Sequence, residues 1–305
     1  MTLSEGKTST DGGGRRTCVF VAATPLQILF SLSIAHDLGP DVDKHMIMIG
    51  SFTNGEVICD RFTALSISPG WKSARYFPSF RLASRYAAAL EGDELFIGGD
   101  AGLKHCLYLL FFKLLSRNTR INVYEEGVGT YRKDLYSSRK RAVIALTGAG
   151  THLGNSVLTS NVYVLRPDAY LSALPGMERK VRQIVHSPVD VIRRHLASLC
   201  ALFSYPPLTG ADRKSACCIL YLSSWSQDEA FIKTLTDSSD DVYLKPHPHF
   251  KGDLGHGSFH VLTGAPPAEL ILVNLLDIYD RVTVFHHGSS TELYFSHERV
   301  EFVRI

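Results

Sequence analysis

The stretch Cys18-Val19-Phe20-Val21-Ala22-Ala23-Thr24-Pro25 decides the fold. An apolar run rich in β-formers meets Thr-Pro, the pair that reads as helix N-cap and first helical residue. Beyond it, Ile28, Leu29, Leu32 and Ala35 recur at helical spacing, and the pattern stops near Gly39-Pro40. A strand that runs directly into a helix opens a βαβ unit. Further strands are expected at His45 to Phe52, Arg75 to Phe77, Glu94 to Ile97 and Ile121 to Tyr124. Helices are expected at Arg81 to Leu90 and Leu103 to Leu115. Such alternation predicts a parallel sheet covered by helices.

A second series follows. Strands are expected at Cys217 to Leu222, Val242 to Leu244, Val282 to Phe285 and Val300 to Ile305. Helices are expected at Asp228 to Leu235, Pro267 to Leu276 and Ser290 to Phe295. Between the two series, Tyr131 to Phe203 reads as less regular, and Ser204 to Gly210 as a linker. The organisation expected is a disordered tail at 1–16, an N-terminal Rossmann-like domain at 17–203, a linker at 204–214 and a C-terminal Rossmann-like domain at 215–305. The two domains should face one central cleft. Neither a Gly-x-Gly-x-x-Gly run nor a Walker-type loop is present, which argues against an ordinary dinucleotide or P-loop enzyme.

Composition narrows the classes. The 305 residues are 45% hydrophobic and 20% charged, as in a globular protein. Lys+Arg is 32 against Asp+Glu 30, a net charge of +2 that argues against a nucleic-acid partner. The 6 Cys form no Cys-x-x-Cys pair, as expected of reduced thiols in a cytoplasmic protein. No signal peptide is apparent, and Leu107 to Leu115, interrupted by Lys113, is too short to span a bilayer. A cytoplasmic site is expected, compatible with peripheral contact at an inner membrane face.

Three motifs carry chemistry. Glu125-Glu126-Gly127 follows an expected strand, at the end where open α/β sheets bind ligands. Close carboxylates there suit a general base. Lys245-Pro246-His247-Pro248-His249 stands at another strand end, with prolines fixing the imidazole and a lysine suited to an anion. Gly288-Ser289-Ser290-Thr291 opens an expected helix and could hold phosphate. The cluster His247, His249, His256, His260, His286 and His287, with Asp253, gives a competing reading as a metal-binding hydrolase. His256 and His260 have the His-x-x-x-His spacing but lie in a Gly-rich stretch and not on a convincing helix, so no metal is expected.

In their order, these motifs resemble those of the bacterial GT-B sialyltransferases, the lipooligosaccharide sialyltransferases and capsule polysialyltransferases. That family shares an Asp/Glu-Asp/Glu-Gly motif, a later His-Pro and a final Ser-Ser or Ser-Thr pair. Ala23-Thr24-Pro25-Leu26-Gln27 is similar to the run that opens its first domain. The resemblance implies inverting, metal-independent transfer of sialic acid from CMP-sialic acid to a hydroxyl of a glycan or glycolipid acceptor, without a further cofactor. It implies that Glu125 is the general base, with Glu126 secondary, and that His247 is the general acid. It implies that Lys245 contacts the nucleotide, that Ser289 and Ser290 hold its phosphate and that Glu269 holds the ribose. A GT-B transferase with another nucleotide-activated donor is the alternative.

Overall fold

The computed structural model describes residues 15–50, 54–65, 67, 70–133, 135–210, 213–224, 228–247, 259–262, 264 and 266–305. The opening stretch forms β1 (Thr17–Ala22) and α1 (Pro25–Asp37), with the Thr24 side chain accepting the Gln27 N–H at 3.2 Å. The series continues with β2 (Asp43–Ile49), α2 (Gly55–Leu65), β3 (Trp71–Phe77), α3 (Phe80–Ala89), β4 (Glu94–Ile97), α4 (Leu103–Leu115) and β5 (Arg120–Tyr124). After α5 (Ser138–Leu146) come β6 (Thr159–Val164), α6 (Pro167–Ala173) and β7 (Val181–Gln183). All strands pair in parallel in one 7-stranded sheet, ordered β3-β2-β1-β4-β5-β6-β7.

Alternation along β1 sorts the two faces. Phe20 joins Ile28, Leu29, Ile58 and Phe62 from α1 and α2. Val19 and Val21 join Ala83, Ala87, Leu109 and Phe112 from α3 and α4 on the other side. The second sheet, of 5 strands, is ordered β10-β9-β8-β11-β12 and is also parallel. Its strands are β8 (Cys217–Leu222), β9 (Asp241–Lys245), β10 (His260–Val261), β11 (Arg281–His286) and β12 (Val300–Arg304). Its helices are α8 (Glu229–Thr236), α9 (Ala268–Leu276) and α10 (Thr291–Tyr294).

The segment expected to be irregular instead completes the first sheet and supplies α7 (Pro188–Leu202). A capping box starts that helix: the Ser187 hydroxyl takes the Asp190 N–H, and the Asp190 carboxylate takes the Ser187 N–H. Helix α7 packs against α1 and α2 of the first domain and α9 of the second, so it clamps the two. The sequence of α9, AELILVNLL, is apolar around most of its circumference, and Glu269 to Leu276 are all buried. The expected helix Ser290 to Phe295 shrinks to the single turn α10.

Candidate active site

Ligands gather where the strand order of an open parallel sheet reverses. In the second sheet that point lies between β8 and β11. A cavity of about 370 Å³ opens there. Its C-terminal wall comes from three strand-end loops: Ser223-Ser224 after β8, Lys245-Pro246-His247 after β9, and His287 to Ser290 after β11. Its N-terminal wall is Glu126, Gly127 and Val128. A second cavity of about 290 Å³ sits at the reversal point of the first sheet, between β1 and β4, and Ala23, Gly98, Gly99, His105 and Tyr136 are among its walls. Glu126 lines both cavities and so stands at their junction.

The two adjacent carboxylates diverge. Tyr124 ends β5 fully buried, its hydroxyl donating to the Val21 carbonyl at 2.7 Å. Glu125 turns inward and is 0% exposed. Its Oε2 accepts the Tyr131 hydroxyl and the Leu165 N–H, each at 2.7 Å. The hydroxyl of Tyr294, from the second domain, approaches the same carboxyl. Burial raises the Glu125 pKa above the ordinary carboxylate value, against these hydrogen bonds.

Glu126 faces the cleft, where it is open to solvent yet surrounded by both domains. Glu125, expected as the general base with Glu126 secondary, is thus held inside the first domain by the half-buried Tyr131 and Leu165 donors, and it is Glu126 that lines the cleft. Gln27 Nε2 donates to Glu126 Oε2 at 3.1 Å, and the Ala23 N–H fixes that amide through Gln27 Oε1 at 2.6 Å. The Thr130 hydroxyl accepts the Glu126 N–H at 3.1 Å. Desolvation prevails over these bonds, with Asp100 adding repulsion, and pushes the carboxyl up to about 7. Gln27 belongs to the opening run, where the sequence alone assigns it no role at the site. Its signal was its place three residues past an N-cap, at the carboxyl end of β1.

Gly127 has a φ of 121°, a region that costs any side chain dearly. A Cβ there would also stand 3.4 Å from the Ser290 Cβ, so the glycine lets the two domains approach.

On the facing wall, the His247 N–H donates to Ser223 Oγ at 3.0 Å, and the Ser223 N–H donates to the Lys245 carbonyl at 3.1 Å. These bonds stitch the β8 and β9 loops together. Burial lowers the pKa of the Lys245 amine, opposed by the charge of Glu269. Glu269 itself is 2% exposed and is not part of the cavity wall, which Ala268 reaches instead. The carboxylate expected to hold the ribose therefore lies behind the cavity wall. The first turn of α9 points it inward, toward Lys245 and the Thr291 side chain, and burial raises its pKa.

Ser289 and Ser290 line the cavity, but their surroundings differ from the helix-end anion site expected. A single turn such as α10 carries little macrodipole. The Gly288 and Ser289 N–H groups both donate to His286 Nδ1, at 3.1 and 2.9 Å. The same geometry requires an unprotonated Nδ1, in line with the downward pKa shift that burial gives His286. His286, 0% exposed, thus shapes the serine loop from below. The Ser289 and Ser290 hydroxyls and the Lys245 amine line the wall opposite Glu126.

His249, His256 and Asp253 of the histidine cluster lie outside the described residues. Among the described residues no three His, Cys, Asp or Glu side chains come together as a metal set. His260 stacks on Tyr243 with ring centroids 4.9 Å apart. All 6 cysteines are free.

No family model matches this chain, and no curated protein matches it. Solved structures do. Arabidopsis thaliana UGT89C1 complexed with UDP matches over 92% of this chain and 77% of that one, with a TM-score of 0.53 at 10% identity. A UDP-N-acetylglucosamine 2-epimerase matches over 91% of this chain and 74% of its own, with a TM-score of 0.48 at 10% identity. The wall teichoic acid polymerase TagF matches over 91% and 67%, with a TM-score of 0.46 at 11% identity. At such identities the likeness is one of fold. Two parallel-sheet domains, clamped by α7 and meeting strand ends to strand ends across one cleft, give this chain the GT-B type fold.

Proposed function

We propose that the chain is an inverting glycosyltransferase that uses a nucleotide-activated sugar. One observation carries the reading: a carboxylate of raised pKa from the first domain and the Lys245-Pro246-His247 loop of the second share a single cavity. Glu126 takes the proton from an acceptor hydroxyl held in the first-domain cavity. The hydroxyl oxygen attacks the anomeric carbon from the face opposite the nucleotide. The bond from that carbon to the phosphate oxygen breaks, and the phosphate leaves with the electron pair. His247 gives the departing phosphate a proton, while Lys245 and the Ser289 and Ser290 hydroxyls balance its charge. A base on one face and leaving-group stabilisation on the other are what an oxocarbenium-like transfer needs.

For the donor, the proposal is CMP-sialic acid. The support is that Glu126-Gly127, Lys245-Pro246-His247 and Ser289-Ser290 line one cavity, in the order of the motifs of the family they resemble. A different nucleotide-activated donor is the second reading, since the fold serves several. Incubation with CMP-sialic acid, UDP-sugars and CDP-activated donors, each with labelled lactose and sialylated acceptors, decides between them by mass spectrometry. A mass gain of one sialic acid from the CMP donor alone is expected. Transfer from a UDP or CDP donor alone would remove the sialic acid reading and keep the transferase. Transfer should persist in EDTA, because in this reading Lys245 and His247 do the work of a metal at the phosphate. Loss on chelation, restored by Zn or Mn, would favour the histidine cluster.

Lys245→Met tests the anion role. With its charge gone, CMP affinity should fall by roughly tenfold or more, the scale of a lost charge-assisted contact. Unchanged CMP affinity by calorimetry would remove Lys245 from the phosphate site.

A further inference from the structure

The outer face of the α3-α4-α5 layer is the least ordinary surface of the molecule. Helix α4 is apolar on two sides. Cys106, Leu109 and Phe112 pack inward. On the other side Leu107 is 66% exposed, Leu110 45% and Leu114 70%. With Leu103 they follow i, i+4, i+7, i+11 spacing, which aligns them in one stripe. Cys106 and Ile144 share a cluster with Ala149, so α5 lies beside α4. It adds Val143, 56% exposed, and Leu146, 89% exposed. Single exposed leucines are ordinary, but a stripe of four along one helix, with further exposed apolar residues on the helix beside it, marks an interaction surface.

Charge selects the occupant. Neither α4, LKHCLYLLFFKLL, nor α5, SRKRAVIAL, contains a carboxylate. Lys104, Arg117, Arg139 and Lys140 are exposed along or beside the stripe. An apolar stripe with cations and no anions fits an anionic lipid surface, with the leucines below the headgroups and the cations among them. No described helix is long and apolar enough to cross a membrane, so α4 would lie in the plane of the interface.

The face also adjoins the cleft. His105 of α4, Tyr136 just before α5 and Phe80 at the start of α3 line the first-domain cavity. We infer that the α4-α5 face docks on an anionic bilayer and presents the first-domain cavity to acceptors carried on that surface. The docking stands on the surface alone. Its link to acceptors rests on the transferase reading.

Flotation with vesicles tests it, using the full chain, phosphatidylcholine alone and phosphatidylcholine mixed with phosphatidylglycerol. The protein should float with the mixed vesicles only, and less in high salt. Leu107→Glu with Leu114→Glu should reduce partitioning by roughly tenfold or more, and Arg139→Glu with Lys140→Glu by at least about fivefold. CMP-induced thermal stabilisation should survive in every variant, which separates failure of docking from failure of the cleft reading. Wild-type protein that stays unbound, or binding indifferent to both double variants, would overturn the inference. A dimer in sedimentation equilibrium that Leu107→Glu with Leu114→Glu splits would also overturn it, by assigning the face to a second copy of the chain.

Discussion

Glu126→Gln should lower turnover by roughly 100-fold or more while leaving CMP affinity near that of the wild type. The shape and the Gln27 contact at 3.1 Å can both be kept by an amide, so only the base is lost. The same change should raise the melting temperature, and the sign follows from the carboxyl's environment. Its pKa rises from 4.5 to about 7 in the folded chain. Ionising Glu126 therefore costs the folded state stability at pH above 7, and that cost fades as pH falls toward 4.5. The glutamine variant should gain on the wild type at pH 8 and lose that gain near pH 4.5. A base that destabilises its own protein at working pH is the usual trade between activity and stability. Full turnover in Glu126→Gln would remove the proposed mechanism.

Glu125→Ala should cost stability first. The substitution strips the Tyr131 hydroxyl and the Leu165 N–H of their acceptor and opens a hole at a fully enclosed site. Unpaired buried donors and lost packing together cost about 3 kcal/mol. Tyr294 also loses the group through which it reaches across from the second domain, so the loss should extend to domain closure. Thermal melting should show a drop of several degrees. Glu125→Gln, which keeps both acceptor contacts, should restore most of it and retain turnover of the wild-type order. A Glu125→Ala protein as stable as the wild type would show that the carboxyl is not the buried anchor described here.

The division of labour between these neighbours shows where the sequence is readable. The strands β1, β4, β5, β8 and β11 announce themselves as apolar runs, and Thr24-Pro25 announces α1. The motif Glu125-Glu126-Gly127 correctly marks a strand end, but which carboxylate faces the cleft depends on Tyr131, Leu165 and Tyr294. Those three partners lie from 6 to 169 residues away in sequence, and only folding brings them to Glu125. Glu269 illustrates the same point, since its helix is readable but the direction of its first turn is not.

Other signals were present and weak. Ser187-Pro188 with Asp190 carries the pattern of a capped helix, and Pro167 opens α6. Both sit in a basic, polar stretch whose burial only the completed sheet makes evident. Three-residue β7 and two-residue β10 are too short for any alternation to show. The clamp by α7 was invisible because it depends on a helix of one domain meeting the apolar α9 of the other.

The dependence of kcat/KM on pH, measured for the wild type and for Glu125→Gln, decides which of the two carboxylates is the base. An acidic limb near pH 7 is expected, the value to which the cleft raises Glu126, with the limb unmoved in Glu125→Gln. An acidic limb that Glu125→Gln shifts or abolishes would contradict it and return the base to the buried carboxylate.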